Sequence, residues 1–264
     1  MLLFLRSLAF NVAFYINMIV WMIVLLPAML LPKRILHAGI QVWSRLNLVL
    51  LEAITGTRVE IRGLENLPAG GVLVASKHQS TFETLALLHL FHDPVFILKK
   101  ELAWIPVFGW FCAKVGMIPV DRAGGREALR AMTKRSVEAL QAGRSVLIYP
   151  EGTRRPPGVE PAYKVGVAFL YRATKAPLVP VALNSGLFWP RRGFFRYPGR
   201  LVVQFLPPIE PGLSAEAVMA RLQSVIETAS DALAIEALES PNPPPAPPSA
   251  ARYLADRRKP VTPA

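Results

Sequence analysis

Gly71-Val72-Leu73-Val74-Ala75-Ser76-Lys77-His78-Gln79-Ser80-Thr81-Phe82-Glu83 passes from an unbroken apolar run to a polar island. An apolar run that short, with no alternation, is a strand buried on both faces. The residues after it, Thr84-Leu85-Ala86-Leu87-Leu88, predict a helix over 81–90. Strand, polar turn and helix in this order form the repeating unit of an α/β fold. A second stretch repeats the pattern: Val146-Leu147-Ile148-Tyr149-Pro150 leads into Glu151-Gly152-Thr153-Arg154.

Working outward from these two stretches, short apolar runs predict strands over 59–62, 72–76, 95–98, 117–120, 146–149, 178–183 and 201–205. Amphipathic segments predict helices over 81–90, 104–113, 126–142, 165–173 and 215–238. The expected architecture is a mixed sheet flanked by helices. On the helix from 126, Leu129, Met132, Val137 and Leu140 share one side. Arg126, Arg130 and Lys134 form a basic stripe at i, i+4, i+8, which reads as a solvated face or as a membrane contact. No repeat or heptad pattern interrupts this reading.

The 264 residues suffice for one α/β domain with an added segment at each end. We expect an anchor over 1–56, a catalytic domain over 57–239 and a proline-rich disordered tail over 240–264. No charged residue occurs from 7 to 32, a length able to cross a hydrocarbon core of about 30 Å. Asn11, Asn17 and Pro27 interrupt it. Trp43, Leu46, Leu50 and Ile54 recur at helical spacing in the next segment, which lies in the interface or packs back on the first as a hairpin. A single span, a re-entrant anchor and, as the plain alternative, a buried soluble helix remain open. Lys33, Arg34, Arg45 and Arg58 follow the apolar run, which places the main domain on the cytoplasmic side. Arg252, Arg257, Arg258 and Lys259 lie in the tail.

A net charge of +12 points to nucleic acid, an anionic membrane or anionic substrates. An apolar fraction of 52%, without basic–aromatic interleaving or a known module, favours the membrane and argues against nucleic acid. One cysteine, Cys112, rules out an internal disulfide and a cysteine zinc cage. His37, His78, His89 and His92 have no metal-ligand spacing.

His78 lies between a strand and a helix, with Glu83 five residues on. Ser80-x-x-Glu83 reads as a capping box, with Ser80 as the N-cap and Glu83 bonding back to its backbone. The same residues read as a base and its orienter if His78 folds back over the first turn. Glu83 then holds one imidazole nitrogen and leaves the other for a substrate hydroxyl. No G-x-S-x-G elbow supplies a protein nucleophile, so direct attack by that hydroxyl is expected. In the second island Gly152 lets backbone approach a ligand, Thr153 donates, and Arg154 offers a fork for phosphate. Glu151 orients Arg154 or another base. Arg122, at the end of the strand over 117–120, and Lys164, before the helix from 165, are further candidate cations. The plain alternative for these residues is an exposed turn and a surface pair of Asp121 with Arg122.

The order of these motifs resembles that of the glycerolipid acyltransferases, specifically the bacterial 1-acylglycerol-3-phosphate acyltransferases. His78 to Glu83, Gly116 to Arg122, Glu151 to Arg154 and the proline-containing strand Leu178-Val179-Pro180-Val181-Ala182 stand in the family's order, over about 64–205. The chain departs from the usual pattern at Glu83, where aspartate is common, and at Lys77, often asparagine. The resemblance implies that His78, oriented by Glu83, deprotonates the 2-hydroxyl of lysophosphatidic acid, which attacks the thioester of acyl-CoA or acyl carrier protein. Arg122, Arg154 and Lys164 would bind the acceptor's phosphate, with Gly152 and Thr153 shaping the site. No metal or bound cofactor is implied. The setting implied is the bacterial inner membrane, among membrane phospholipids. Two alternatives stay open: the same chemistry on another lysophospholipid or lyso-aminolipid, and a degenerate membrane-anchored lipid-binding protein.

Overall fold

The computed structural model describes residues 1–250. Seven strands form one mixed sheet: β1 (Thr57–Arg62), β2 (Leu73–Ser76), β3 (Val95–Lys99), β4 (Ile118–Val120), β5 (Val146–Ile148), β6 (Leu178–Leu183) and β7 (Gly199–Phe205). Their spatial order is β1-β7-β6-β2-β5-β3-β4. Every neighbouring pair is parallel except β6 and β7. The chains leaving β2, β3, β4, β5 and β6 therefore all emerge at one edge of the sheet, where parallel α/β sheets place their sites. Pro180 is tolerated inside β6 because the antiparallel ladder with β7 covers only Val181 to Leu183.

The strands are apolar on both faces because both faces are covered. Val72 and Val74 join one core with Phe82, Leu85 and Phe111, from the helices α3 (Phe82–Leu90) and α4 (Phe108–Val115). Leu73 and Ala75 join the opposite core with Met132, Leu170 and Leu222. Those come from α5 (Gly125–Gln141), α6 (Gly166–Thr174) and α8 (Ala215–Leu238). A short helix, α7 (Ser185–Phe188), follows β6 and has no counterpart in the sequence reading. Arg126, Arg130 and Lys134 on α5 are exposed, in the layer opposite α3 and α4.

At the N-terminus α1 (Leu2–Val24) and α2 (Lys33–Thr55) are joined by a 3₁₀ turn, Leu26–Leu30, and pack back on each other as a hairpin. The buried stripe of α1 is Ser7, Phe10 and Phe14. Trp189 meets Phe10 and Phe14 edge-on, at 5.2 and 5.5 Å between centroids. The polar residues that interrupt the apolar run have a reason to be there. Ser7 Oγ accepts from the Arg196 amide at 3.0 Å, and Asn11 donates to the Phe194 carbonyl at 2.9 Å. The opposite side of α1 exposes Leu5, Leu8, Val12, Ile16, Ile19 and Ile23.

Two expectations are corrected. The helix predicted over 104–113 starts at Phe108, because Pro106 disfavours helical backbone at Ile105 and residues 100–104 close a separate 3₁₀ turn. The tail predicted as disordered from 240 is ordered through its described part. Ala250 is buried, and Ser249 Oγ donates to the Pro157 carbonyl at 2.6 Å. Proline-rich composition lowers the entropy lost on docking, so a short segment settles without a core of its own. The rest of that prediction, with Arg252, Arg257, Arg258 and Lys259, lies outside the described residues.

Candidate active site

His78 is two residues past the end of β2, and Glu83 sits in the first turn of α3. His78 Nδ1 lies 2.8 Å from Glu83 Oε1. The same oxygen accepts from the amides of Gln79 and Ser80, each at 2.7 Å. The other oxygen accepts from Ser185 Oγ at 2.8 Å. Four donors converge on a side chain with no solvent exposure, the environment of an acceptor-only carboxylate. With Nδ1–H donated to Glu83, Nε2 is left with its lone pair outward, and the ring keeps 14% exposure. One face of the imidazole stacks on Tyr149 at 4.0 Å. Burial, then the charge of Glu83, holds the Tyr149 phenol well above its usual range, so it stays neutral.

The capping and catalytic readings describe one arrangement. Glu83 reaches back to the Ser80 amide as a capping carboxylate does, and through the same oxygen it holds His78. The N-cap itself is Thr81 rather than Ser80, with no side-chain cap bond; Ser80 Oγ accepts from Phe82 N at 3.2 Å.

The second island leaves β5, the strand paired with β2, so the two turns meet. The Arg155 amide donates to the His78 carbonyl at 2.8 Å. Arg154 donates to Thr81 Oγ1 at 2.7 Å, beside the dyad. Arg191, in the loop after α7, donates to the Arg154 carbonyl at 2.7 Å. Glu151, expected among the substrate-binding groups, faces inward at 1% exposure. Its Oε1 is 3.0 Å from Lys77 Nζ, and that ammonium is also 2.8 Å from Glu227 on α8. Tyr163 donates to Glu227 at 2.8 Å. Burial raises the Glu151 carboxyl above its usual range, and Lys77 pulls it back. Burial with the charge of Glu227 likewise raises the Tyr163 phenol.

Gly152 has φ +65°, and an added Cβ there would lie 3.7 Å from the Lys164 side chain. The backbone angle, not lack of room, calls for glycine. Thr153 and Lys164 are exposed. Arg122 is exposed just past β4 and makes no hydrogen bond or ion pair among the described residues; its neighbour Asp121 is held by Lys100 at 2.5 Å. Thus His78, Glu83 and Arg154 are together, Glu151 is buried behind them against Lys77, Lys164 lies beside the second turn with its amide donating to the Pro150 carbonyl at 2.8 Å, and Arg122 stands apart, past the edge strand β4.

Sequence reasoning missed Tyr149, Ser185, Thr81 and Glu227. For Ser185 the signal was the strand order. β6 is the other neighbour of β2, and the Lys77 amide donates to the Val181 carbonyl, so the residues just past β6 end beside His78. Glu227 had only the anomaly of a lysine at 77 that needs a carboxylate when buried.

Comparison with known proteins bears on the family and the fold. The family profile described as Acyltransferase matches residues 58–184. A 1-acyl-sn-glycerol-3-phosphate acyltransferase of Pseudomonas aeruginosa is 38% identical over 190 residues, 72% of each chain. The mouse 1-acyl-sn-glycerol-3-phosphate acyltransferase alpha is 31% identical over 224 residues, covering 82% of this chain and 77% of its own. The crystal structure of a 1-acyl-sn-glycerophosphate acyltransferase from Thermotoga maritima superposes with a TM-score of 0.72 at 22% identity, covering 87% of this chain and 96% of its own; at that identity it bears on the fold. With the His78–Glu83 pair and the Glu151 to Arg154 turn at one sheet edge, the chain belongs to the 1-acyl-sn-glycerol-3-phosphate acyltransferase family.

Proposed function

We propose that the chain transfers an acyl group from a thioester to the 2-hydroxyl of 1-acyl-sn-glycerol-3-phosphate, giving phosphatidic acid. The observation that carries the mechanism is the 2.8 Å contact between His78 Nδ1 and Glu83, which leaves Nε2 as the base. Nε2 takes the hydroxyl proton while the oxygen attacks the thioester carbonyl. The tetrahedral intermediate collapses with loss of the thiolate, which takes the proton back from the imidazolium. Neither a metal nor a redox cofactor enters this sequence, and no covalent enzyme intermediate forms. Arg154, Arg122 and Lys164 bind the acceptor's phosphate, and Gly152 and Thr153 shape the turn. Glu151 acts through Lys77 and the turn that holds His78. The donor is the acyl thioester of coenzyme A or of acyl carrier protein.

One N-terminal helix, Leu2–Val24, is long and apolar enough to cross a membrane, and the chain associates with membrane through it. We assign residues 1–56 to the anchor, 57–239 to the catalytic domain and 240–264 to the tail. The cations after α1 favour an orientation with the catalytic domain facing the cytoplasm, and the resemblance to bacterial members of the family favours the inner membrane as its location.

The test is acyl transfer to lysophosphatidic acid in mixed micelles by the purified full chain, with acyl-CoA or acyl carrier protein as donor. Phosphatidic acid should form with wild type and fall to near background with His78→Ala. Wild-type turnover in the variant removes His78 as base. Acylation of a different lysolipid in place of lysophosphatidic acid removes the acceptor assignment.

A further inference from the structure

The chain leaving β3 forms a projection that neither core nor dyad explains. Residues Lys100–Trp104 make a 3₁₀ turn and Phe108–Val115 make α4. Between them Val107 has φ +64° and ψ −57°, and the Phe108 amide donates to the Pro106 carbonyl at 2.7 Å. This is the rare γ-turn, strained for any L-residue and more so for a β-branched one. The two halves of the projection are pressed together. A Cβ on Gly109 would lie 2.0 Å from the Ala103 carbonyl oxygen. Phe111, Cys112 and Val115 anchor its base in the core.

What this rigid turn presents is apolar. Trp104 is 69% exposed and Trp110 54%, with Ile105 and Leu102 also exposed. Neither tryptophan belongs to a core cluster. The projection stands at the catalytic edge of the sheet, since Lys99, where β3 ends, pairs with Val120, two residues before Arg122. α4 packs on α2, which packs on α1, so the projection and the exposed apolar side of α1 belong to one layer. Around it Lys99 and Lys100 are paired with Glu101 and Asp121. Lys114 and Arg122 make no ion pair among the described residues.

We propose that the projection carrying Leu102, Trp104, Ile105 and Trp110 inserts into the headgroup layer of an anionic bilayer and sets the catalytic edge against it, independently of α1. Indole rings partition to that depth, and the chain's net charge of +12 suits an anionic surface rather than a neutral one. Exposed apolar surface held in place at the cost of backbone strain is a docking feature, not leftover core. This rests on the reading that the acceptor is a membrane lipid.

The test uses the full chain and vesicles of phosphatidylethanolamine and phosphatidylglycerol in equal parts. Cys112 is buried, so a Trp104→Cys variant takes a polarity-sensitive fluorophore at 104 alone. With vesicles, its emission shifts to the blue and aqueous iodide no longer quenches it, while the same label at Lys134→Cys on α5 stays quenchable. A label at 104 that remains quenchable on vesicle-bound protein overturns the proposal. So does a label that is already protected without vesicles, in a concentration-dependent dimer. In the Trp104→Ser/Trp110→Ser double variant, kcat/KM on vesicle-borne acceptor falls about tenfold, and activity on a dissolved short-chain acceptor is unchanged. Equal loss in both assays, or loss in neither, overturns it. If wild type acylates no lysophosphatidic acid in either assay, the functional reading fails while the labelling result still decides the docking.

Discussion

The two polar islands leave adjacent parallel strands, yet they are organised in opposite ways. The island from His78 to Glu83 closes on itself: one carboxylate oxygen takes the imidazole and two amides within six residues of chain. The island from Glu151 to Arg154 is opened out. Glu151 turns inward to Lys77, Arg154 turns to Thr81, and Thr153 faces solvent. On the proposed reading, the first turn, closed mainly within itself, carries the chemistry, and the divided one supports and surrounds it. The comparison is broken most directly by His78→Ala. Loss of the base should lower kcat by about 100- to 10,000-fold with the fold intact, measured as turnover beside a thermal melt. Turnover within threefold of wild type would put the chemistry elsewhere.

The next largest effect tests whether Glu151 is structural. Lys77→Met takes the ammonium from the buried Glu151, leaving it only the longer 3.8 Å contact to Arg155, and from the half-buried Glu227, and should destabilise the fold by about 2–4 kcal/mol in denaturant titrations. Adding Glu151→Gln to that variant should recover part of the loss, because the buried charge that lost its closest cation is gone. If Lys77→Met melts like wild type, Glu151 is free to face a ligand and the two islands are alike after all.

What could be read from the sequence follows the same division. All seven strands lie within two residues of their expected ends, because apolar runs between turns fix them without reference to partners. His78 and Glu83 were legible because both lie within one strand–turn–helix unit. Ser185 was not, since it follows Glu83 by 102 residues and meets it only because β6 was inserted beside β2. Glu227 is 150 residues from Lys77 and depends on how α8 crosses the sheet. Spacing reports neighbours along the chain, and these contacts are set by strand order and helix packing.

Smaller effects separate support from substrate contact. Ser185→Ala removes one donor from a buried carboxylate and should lower kcat about tenfold with little change in acceptor KM. Arg122→Gln removes no hydrogen bond or ion pair among the described residues, so it should raise acceptor KM about tenfold and leave kcat and the melting temperature alone. Arg154→Gln should do both, because Arg154 also holds Thr81 at the start of α3. If Arg122→Gln leaves acceptor KM unchanged, the phosphate grip lies wholly within the second island.

The smallest pair of effects asks what the second turn itself requires. Gly152→Ala has room, its Cβ meeting Lys164 at an ordinary 3.7 Å, so any cost comes from φ +65°. That cost is about 1–2 kcal/mol. Thr153→Ala, at an exposed position without side-chain bonds among the described residues, should change stability by less than about 0.5 kcal/mol. Denaturant melts of the two variants separate conformation from contact. If Thr153→Ala leaves stability intact but raises acceptor KM, Thr153 meets the acceptor, and the divided island contributes a donor to the ligand as well as a frame for His78. If Gly152→Ala is silent, the turn is held by the Arg155–His78 backbone bond rather than by the glycine.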